Sequence, residues 1–490
     1  MGFATVHGIL AVVGKDFVIK GLQTDEFRGL VEDVLTETGR HNKRDCPLRP
    51  QMVIWLVVAM ALFRTTSIAN VFQRLIRWAA DLRLGRRPVT AEALCHARDR
   101  LGVLPLKMLH RQIVARILAP VPATFHGLRL WAIDGSEFTV PDTPANLATF
   151  GKHYSDRGEA AYPQVRGVLL TALVTHQFHE ACFVPSKISE RVPVPYLMRN
   201  LGSQDLLMVD RGLASFAFFL DCQAQETSFI VRISSTWKPR HLRTLGPGDT
   251  LVELIPCKVA WKKLAKKDRH VKIIARMLKF RVGNGEVVRL LTSLLDSTGV
   301  PALEVAGQYH LRWECELAYK EVKIELLAVT EGKQKTHLRS KSPIGVLQEL
   351  WGAVVAHTLV RQLIVEGAEA AGVLPLEISF ADSLEVITQS LPAMQSASSH
   401  HRLLSGLRAA LIKEIGRCLI DRPRRCRQCP RKVKRKMSNF QLKGFNDHEK
   451  ILDLSVAFIQ SPDEAVHPSD EETYPEAKLP EFASASPAGK

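Results

Sequence analysis

The chain is predicted to fold as a mixed α/β protein (α+β): an N-terminal helical domain, then a mixed sheet with helices, interrupted by a β-rich insertion. Three observations predict it. From about Asp25 to Ala119 the apolar side chains recur at helical spacing, with few alternating stretches. From Leu128 onward, short apolar runs stop at aspartates followed closely by glycine, the texture of buried strands ending in turns. Between Ser234 and Ser297 turn signals crowd together, and helical spacing returns only afterwards.

The N-terminal helices come first. Met52 to Phe63 is a 12-residue apolar run closed by Arg64, too short for a bilayer and suited to a buried helix. SIANVFQRLIRWAADLRLG ends in a glycine, and Thr90 is placed to cap AEALCHARDRLG, which Gly102 closes. Helices joined through Arg86-Arg87-Pro88 suit a helix-turn-helix as well as they suit a packing bundle.

Leu130 to Ile133 then reads as a buried strand stopping at a turn, Asp134-Gly135-Ser136. Val165 to Thr175 and His179 to Pro185 continue as strands. Leu206 to Val209 repeats the first pattern, stopping at Asp210-Arg211-Gly212, with a helix from near Ala214. Phe229 to Ile233 is a further strand. The insertion takes its turns from Leu245 to Asp249 and Gly283 to Gly285, and Arg289 to Asp296 closes it. Residues 258–276 carry eight Lys or Arg against one Asp, a surface suited to phosphates.

Residues 309–323, YHLRWECELAYKEVK, carry the chemistry. On one continuous helix, at about 100° per residue, Tyr309, Arg312, Glu316 and Lys323 share an arc of roughly 60°. Leu311, Cys315, Ala318 and Val322 form the opposite, apolar stripe. A carboxylate between two cations and a phenol suits metal-dependent chemistry at a phosphodiester, because hard divalent ions prefer oxygen donors and the cations offset phosphate charge. Taken alone, the pattern also fits a solvated face with an Arg312 to Glu316 pair.

The spacing Tyr309, two residues, Arg312, three residues, Glu316, six residues, Lys323 resembles the signature of the insertion sequence 4 family of DDE transposases, in a chain with only six tyrosines. Asp142 to Gly151 and Asp210-Arg211-Gly212 resemble that family's motifs around its first and second aspartates. The resemblance implies a ribonuclease H-like core in which Asp134, Asp210 and Glu316 are catalytic and hold two Mg²⁺ or Mn²⁺ ions. It implies that Tyr309, Arg312 and Lys323 grip DNA phosphates, and that a tryptophan of the insertion, Trp237 or Trp261, stacks on a flipped base. It further implies double-stranded DNA partners, namely inverted-repeat ends and target, a homodimer on DNA, and a hairpin intermediate. Two other functions stay open: a non-catalytic DNA-binding descendant, and a metal-free tyrosine recombinase using Tyr309. The latter needs a His-x-x-Arg pair, and the residue three before Arg312 is Tyr309 itself.

Composition agrees with a DNA-binding protein. The 490 residues carry a net charge of +16, and the acidic tail 461–490 removes five, so the remainder carries +21, suited to a polyanion. Arg422 to Lys436 holds nine basic residues and no acid; Arg424, Arg425, Lys432, Lys434 and Arg435 are its candidate phosphate contacts. Nine cysteines without disulfide-like spacing suit a reduced, cytoplasmic setting, and the resemblance implies association with the nucleoid and no membrane partner. Cys418, Cys426 and Cys429 give only a weak zinc pattern. The expected regions are 1–122 (helical, end-binding), 123–233 (core, first part), 234–298 (insertion), 299–365 (core, second part), 366–460 (helical and basic) and 461–490 (disordered).

Overall fold

The computed structural model describes residues 29–41, 48–78, 89–155, 158–283, 285–328, 338–397, 400–420, 427–428, 450–451 and 456–459. They group into two compact units. One comprises Met1–Thr124, Arg129–Asn200 and Trp313–Leu419; the other comprises Phe125–Leu128, Leu201–Arg312 and Ile420–Lys490.

The first unit begins with five helices: α1 (Leu30–Glu37), α2 (Pro50–Leu62), α3 (Ile68–Trp78), α4 (Ala91–Leu101) and α5 (Leu104–Arg116). The Thr90 hydroxyl accepts from the Ala93 amide at 3.1 Å and Gly102 ends α4 at φ 71°, the caps that the sequence offers. The 86–88 linker lies outside the described residues. α2 is buried almost throughout because it crosses α9 (Pro343–Ala371). By length and composition α9 could cross a membrane, yet 83% of its apolar window is buried inside the protein, which makes it a core helix.

Close approach of α2 and α9 depends on Gly352, where an added Cβ would lie 2.7 Å from Val57 Cγ1 and 2.8 Å from the Val57 carbonyl. Neither backbone can yield cheaply. Gly352→Ala is expected to cost about 1–3 kcal/mol, read as a lowered urea midpoint; an unchanged midpoint would show that the crossing is slack.

Three antiparallel strands lie side by side in the same unit, with β1 (Leu128–Thr139), β2 (Gln164–Ala172) and β3 (Phe178–Pro185) in that order. In the second unit β4 (Asp205–Val209) pairs parallel with β5 (Ser228–Arg232) through α6 (Phe216–Ala224), which the Ser215 hydroxyl caps at 3.1 Å from the Phe218 amide. Three antiparallel strands followed by two parallel ones is the strand succession of a ribonuclease H-like fold, and the mixed α/β expectation holds. β6 (Arg240–Gly246), β7 (Asp249–Leu254), β8 (Ile273–Val282) and β9 (Val287–Thr292) then form the insertion's antiparallel sheet. It is continuous with the core, because β9 pairs with β5, setting Leu290 opposite Arg232. α7 (Ala302–His310) follows. The first unit is completed by α8 (Trp313–Lys320), α9, α10 (Phe380–Ser396) and α11 (His401–Ile415).

Candidate active site

Two sequence expectations are corrected here. Asp134 does not follow a strand that has ended: β1 runs on to Thr139, and Asp134 stands within it opposite Leu169. Gly135 lies in extended strand rather than in a turn, and an added Cβ there would meet the Glu190 carboxylate at 2.7 Å. Nor do residues 309–323 form one helix. Leu311 and Arg312 donate to the carbonyls three residues back, Gln308 and Tyr309, at 3.0 and 3.1 Å, which breaks the α-helical ladder between α7 and α8. After Lys320 the chain widens into a π-helical turn, Glu321–Leu326. Facial arithmetic at a fixed angle per residue does not carry across either change. The apolar stripe survives: Leu311, Cys315, Ala318 and Val322 are all buried.

In the first unit, α8 lies on the face of the sheet to which Asp134 points. The Cys315 thiol is 3.3 Å from the Thr171 hydroxyl, and the buried Tyr319 hydroxyl sits 2.7 Å from the Asp134 carbonyl and 3.0 Å from that of Gly167. The Lys323 ammonium stands 5.0 Å over the Phe138 ring. Cross-strand register explains the meeting, because Asp134, Phe138, Leu169 and Thr171 all project to one face. Asp134 and Glu316 are both half-buried, the condition that keeps a carboxylate ordered yet reachable. Burial lowers the Lys323 ammonium's proton affinity and Glu137 opposes that effect.

The second unit holds Asp210, Tyr309 and Arg312. Asp210 follows β4 directly, and its Oδ1 accepts from the amides of Gly212 and Leu213 at 2.8 and 3.1 Å, which fixes the carboxylate's orientation. The Tyr309 hydroxyl donates to the Val209 carbonyl at 3.3 Å. Burial pushes that phenol up to about 12, with Arg312 drawing it down and Asp210 raising it. Tyr309 is therefore a hydrogen-bond donor at neutral pH, which disfavours it as a nucleophile.

Trp237 is half-buried and packs edge-on against Phe219, with ring centroids 5.6 Å apart. Trp261 is 39% exposed beneath the Arg269 guanidinium, 4.4 Å from its ring. Trp313 is 56% exposed. Around Trp261 the chain presents exposed Lys258, Lys262, Lys263, Lys266, Lys267 and Lys272. Arg276 departs from the basic-surface expectation: fully buried, it donates to Asp249 at 2.8 Å and to the Val300 carbonyl at 2.6 Å. Arg424, Arg425, Lys432, Lys434 and Arg435, with Cys426 and Cys429, lie outside the described residues.

Among the described residues no group of three or more His, Cys, Asp or Glu side chains is arranged to hold a metal ion. Each predicted acid nonetheless offers only oxygen, the donor that a hard divalent cation requires. Sequence reasoning missed a buried network in the first unit, where Glu314 and Glu321 meet His176, His357 and Arg361. The only local signal for it was that His357 and Arg361 are one helical turn apart.

A family model described as insertion element 4 transposase N-terminal matches residues 22–111, and one described as transposase DDE domain matches residues 126–359. The chain is 32% identical over 383 residues to transposase InsG for insertion sequence element IS4 of Escherichia coli K12, covering 75% of this chain and 82% of that one. It is 30% identical over 184 residues to the putative transposase InsZ of the same organism, covering 37% and 60%. A solved piggyBac transposase in a synaptic complex with hairpin DNA aligns at a TM-score of 0.40 and 11% identity, over 84% of this chain and 86% of that chain.

Proposed function

The chain belongs to the insertion element 4 family of DDE transposases, and from that premise we propose which of its residues do the work. It is an insertion-sequence transposase, a metal-dependent enzyme that cleaves DNA and transfers strands. Asp134, Asp210 and Glu316 are the carboxylates that take up two Mg²⁺ or Mn²⁺ ions. Such ions, when bound, lower the pKa of water and offset charge at phosphorus.

The remaining residues bind and orient. Arg312 offers a planar fork to a phosphate and Lys323 a point charge, while the Tyr309 phenol donates a hydrogen bond. The exposed lysines of the insertion and the run containing Arg424, Arg425, Lys432, Lys434 and Arg435 attract the backbone without regard to sequence. Substrates are double-stranded inverted-repeat ends and then target DNA; two copies hold the ends, and cleavage passes through a hairpin.

What supports this assignment most is that Asp134 and the helix bearing Glu316 share one face of a single unit. The test is cleavage of a duplex carrying the element's own ends. Cutting is expected with Mg²⁺ or Mn²⁺ and none with EDTA. Cutting in EDTA would instead indicate a tyrosine recombinase, and end binding without cutting in any metal would indicate a non-catalytic descendant.

A further inference from the structure

A π-helical turn holds its hydrogen bonds less well than an α-helix, and persists where its surroundings hold it. Here Glu321–Leu326 is gripped at its first residue. The buried Glu321 carboxylate accepts from His357 Nε2 at 2.9 Å, from Arg361 Nε at 2.9 Å and from the second Arg361 nitrogen, and His176 Nδ1 lies 3.0 Å away. His176 also reaches Glu314 through Nε2 at 2.7 Å, so one ring ties down two helical carboxylates. It does so at φ 59°, a left-handed conformation that costs a non-glycine residue free energy. Just beyond the turn, Arg64 Nε donates to the Leu327 carbonyl at 2.8 Å.

Apolar side chains of similar volume would hold this segment with less desolvation. Directional ionic contacts add a fixed register. Glu314 is two residues before Glu316, and Glu321 is two before Lys323. We propose that His176 and Arg361, acting through Glu321, are positioning residues for cleavage: they hold the π-helical turn in the register that carries Lys323 to the DNA. The proposal rests on the assignment of Lys323 made above.

The experiment uses the full-length protein and a duplex bearing the element's ends. Glu321→Gln keeps the shape and removes the charge. At saturating DNA and Mg²⁺ it is expected to slow cleavage roughly 10–100-fold, the scale for residues that orient catalytic groups, with end affinity within about threefold. Combined with Lys323→Ala it should add little to that variant's own loss, because both changes remove one function. Two results would overturn the proposal: full-rate cleavage by Glu321→Gln, or a double variant whose losses multiply. If Glu321→Gln does not fold, Arg361→Lys, which keeps a cation but not the fork, carries the same cycle. Lys323→Ala cutting at the parent rate would remove the Lys323 assignment and the clamp together, whereas a slow Lys323→Ala beside a full-rate Glu321→Gln removes the clamp alone.

Discussion

Asp134→Asn, Asp210→Asn and Glu316→Gln are each expected to lower end cleavage by about 10³-fold or more while leaving DNA binding and folding close to the parent. The size follows from the charge removed: a bound metal supplies several kcal/mol of charge stabilisation, and about 1.4 kcal/mol is worth tenfold in rate. The selectivity follows from local geometry. Asp210 Oδ1 takes the amides of Gly212 and Leu213, and the carbonyl oxygen of an asparagine takes the same two. Asp134 Oδ1 accepts from the Gly135 amide at 2.8 Å, again within an amide's capacity. Both acids and Glu316 are half-buried, so no cavity is opened. Asp210→Ala differs, since it also abolishes the turn and should cost stability as well as rate. The measurements are cleavage at saturating metal, end affinity and urea midpoint on the same preparations. Undiminished cutting by any one amide variant would strike that residue from the site.

The features legible in the sequence were those decided within a few residues. Leu206 to Val209 is apolar on both faces and reads as a buried strand wherever it lies, and Thr90 and Gly102 mark the ends of α4 by their own hydrogen bonding and dihedral freedom. Features decided by distant partners were misread or unseen. Asp134-Gly135 is a strong turn signal, yet pairing from Trp131 opposite Ala172 to Thr139 opposite Gln164 holds it extended. The break at Leu311–Arg312 separates residues assigned to different units, and nothing in YHLRWECELAYKEVK announces it. The carboxylate network depends on His176, 138 positions from Glu314 and 145 from Glu321. Only a fold brings those residues together.

Acid should destabilise this protein well before ordinary carboxylates are protonated. His110 and His357 are fully buried, and burial lowers each ring's pKa from 6.5 to about 4, with His357 partly supported by its contact with Glu321. The unfolded chain takes up these protons near pH 6.5, whereas the folded chain takes them up only near 4. The stability they contribute is therefore complete above pH 6.5 and is lost as the pH falls through that interval. The displacement corresponds to roughly 3 kcal/mol for each ring, against a total of about 5–15 kcal/mol for a typical domain. Glu349 and Glu321 extend the loss downward. Burial alone would raise both, but Arg64, Arg98 and Arg339 hold Glu349 low, and Arg361 and His176 hold Glu321 lower still. Their contribution is present above the usual carboxylate range and disappears on protonation below it. Urea midpoints measured from pH 7.5 down to 4 should fall most steeply between 6.5 and 4. A midpoint that stays level to pH 5 would mean that these rings accept protons while still buried, and that water reaches the helical core of the first unit.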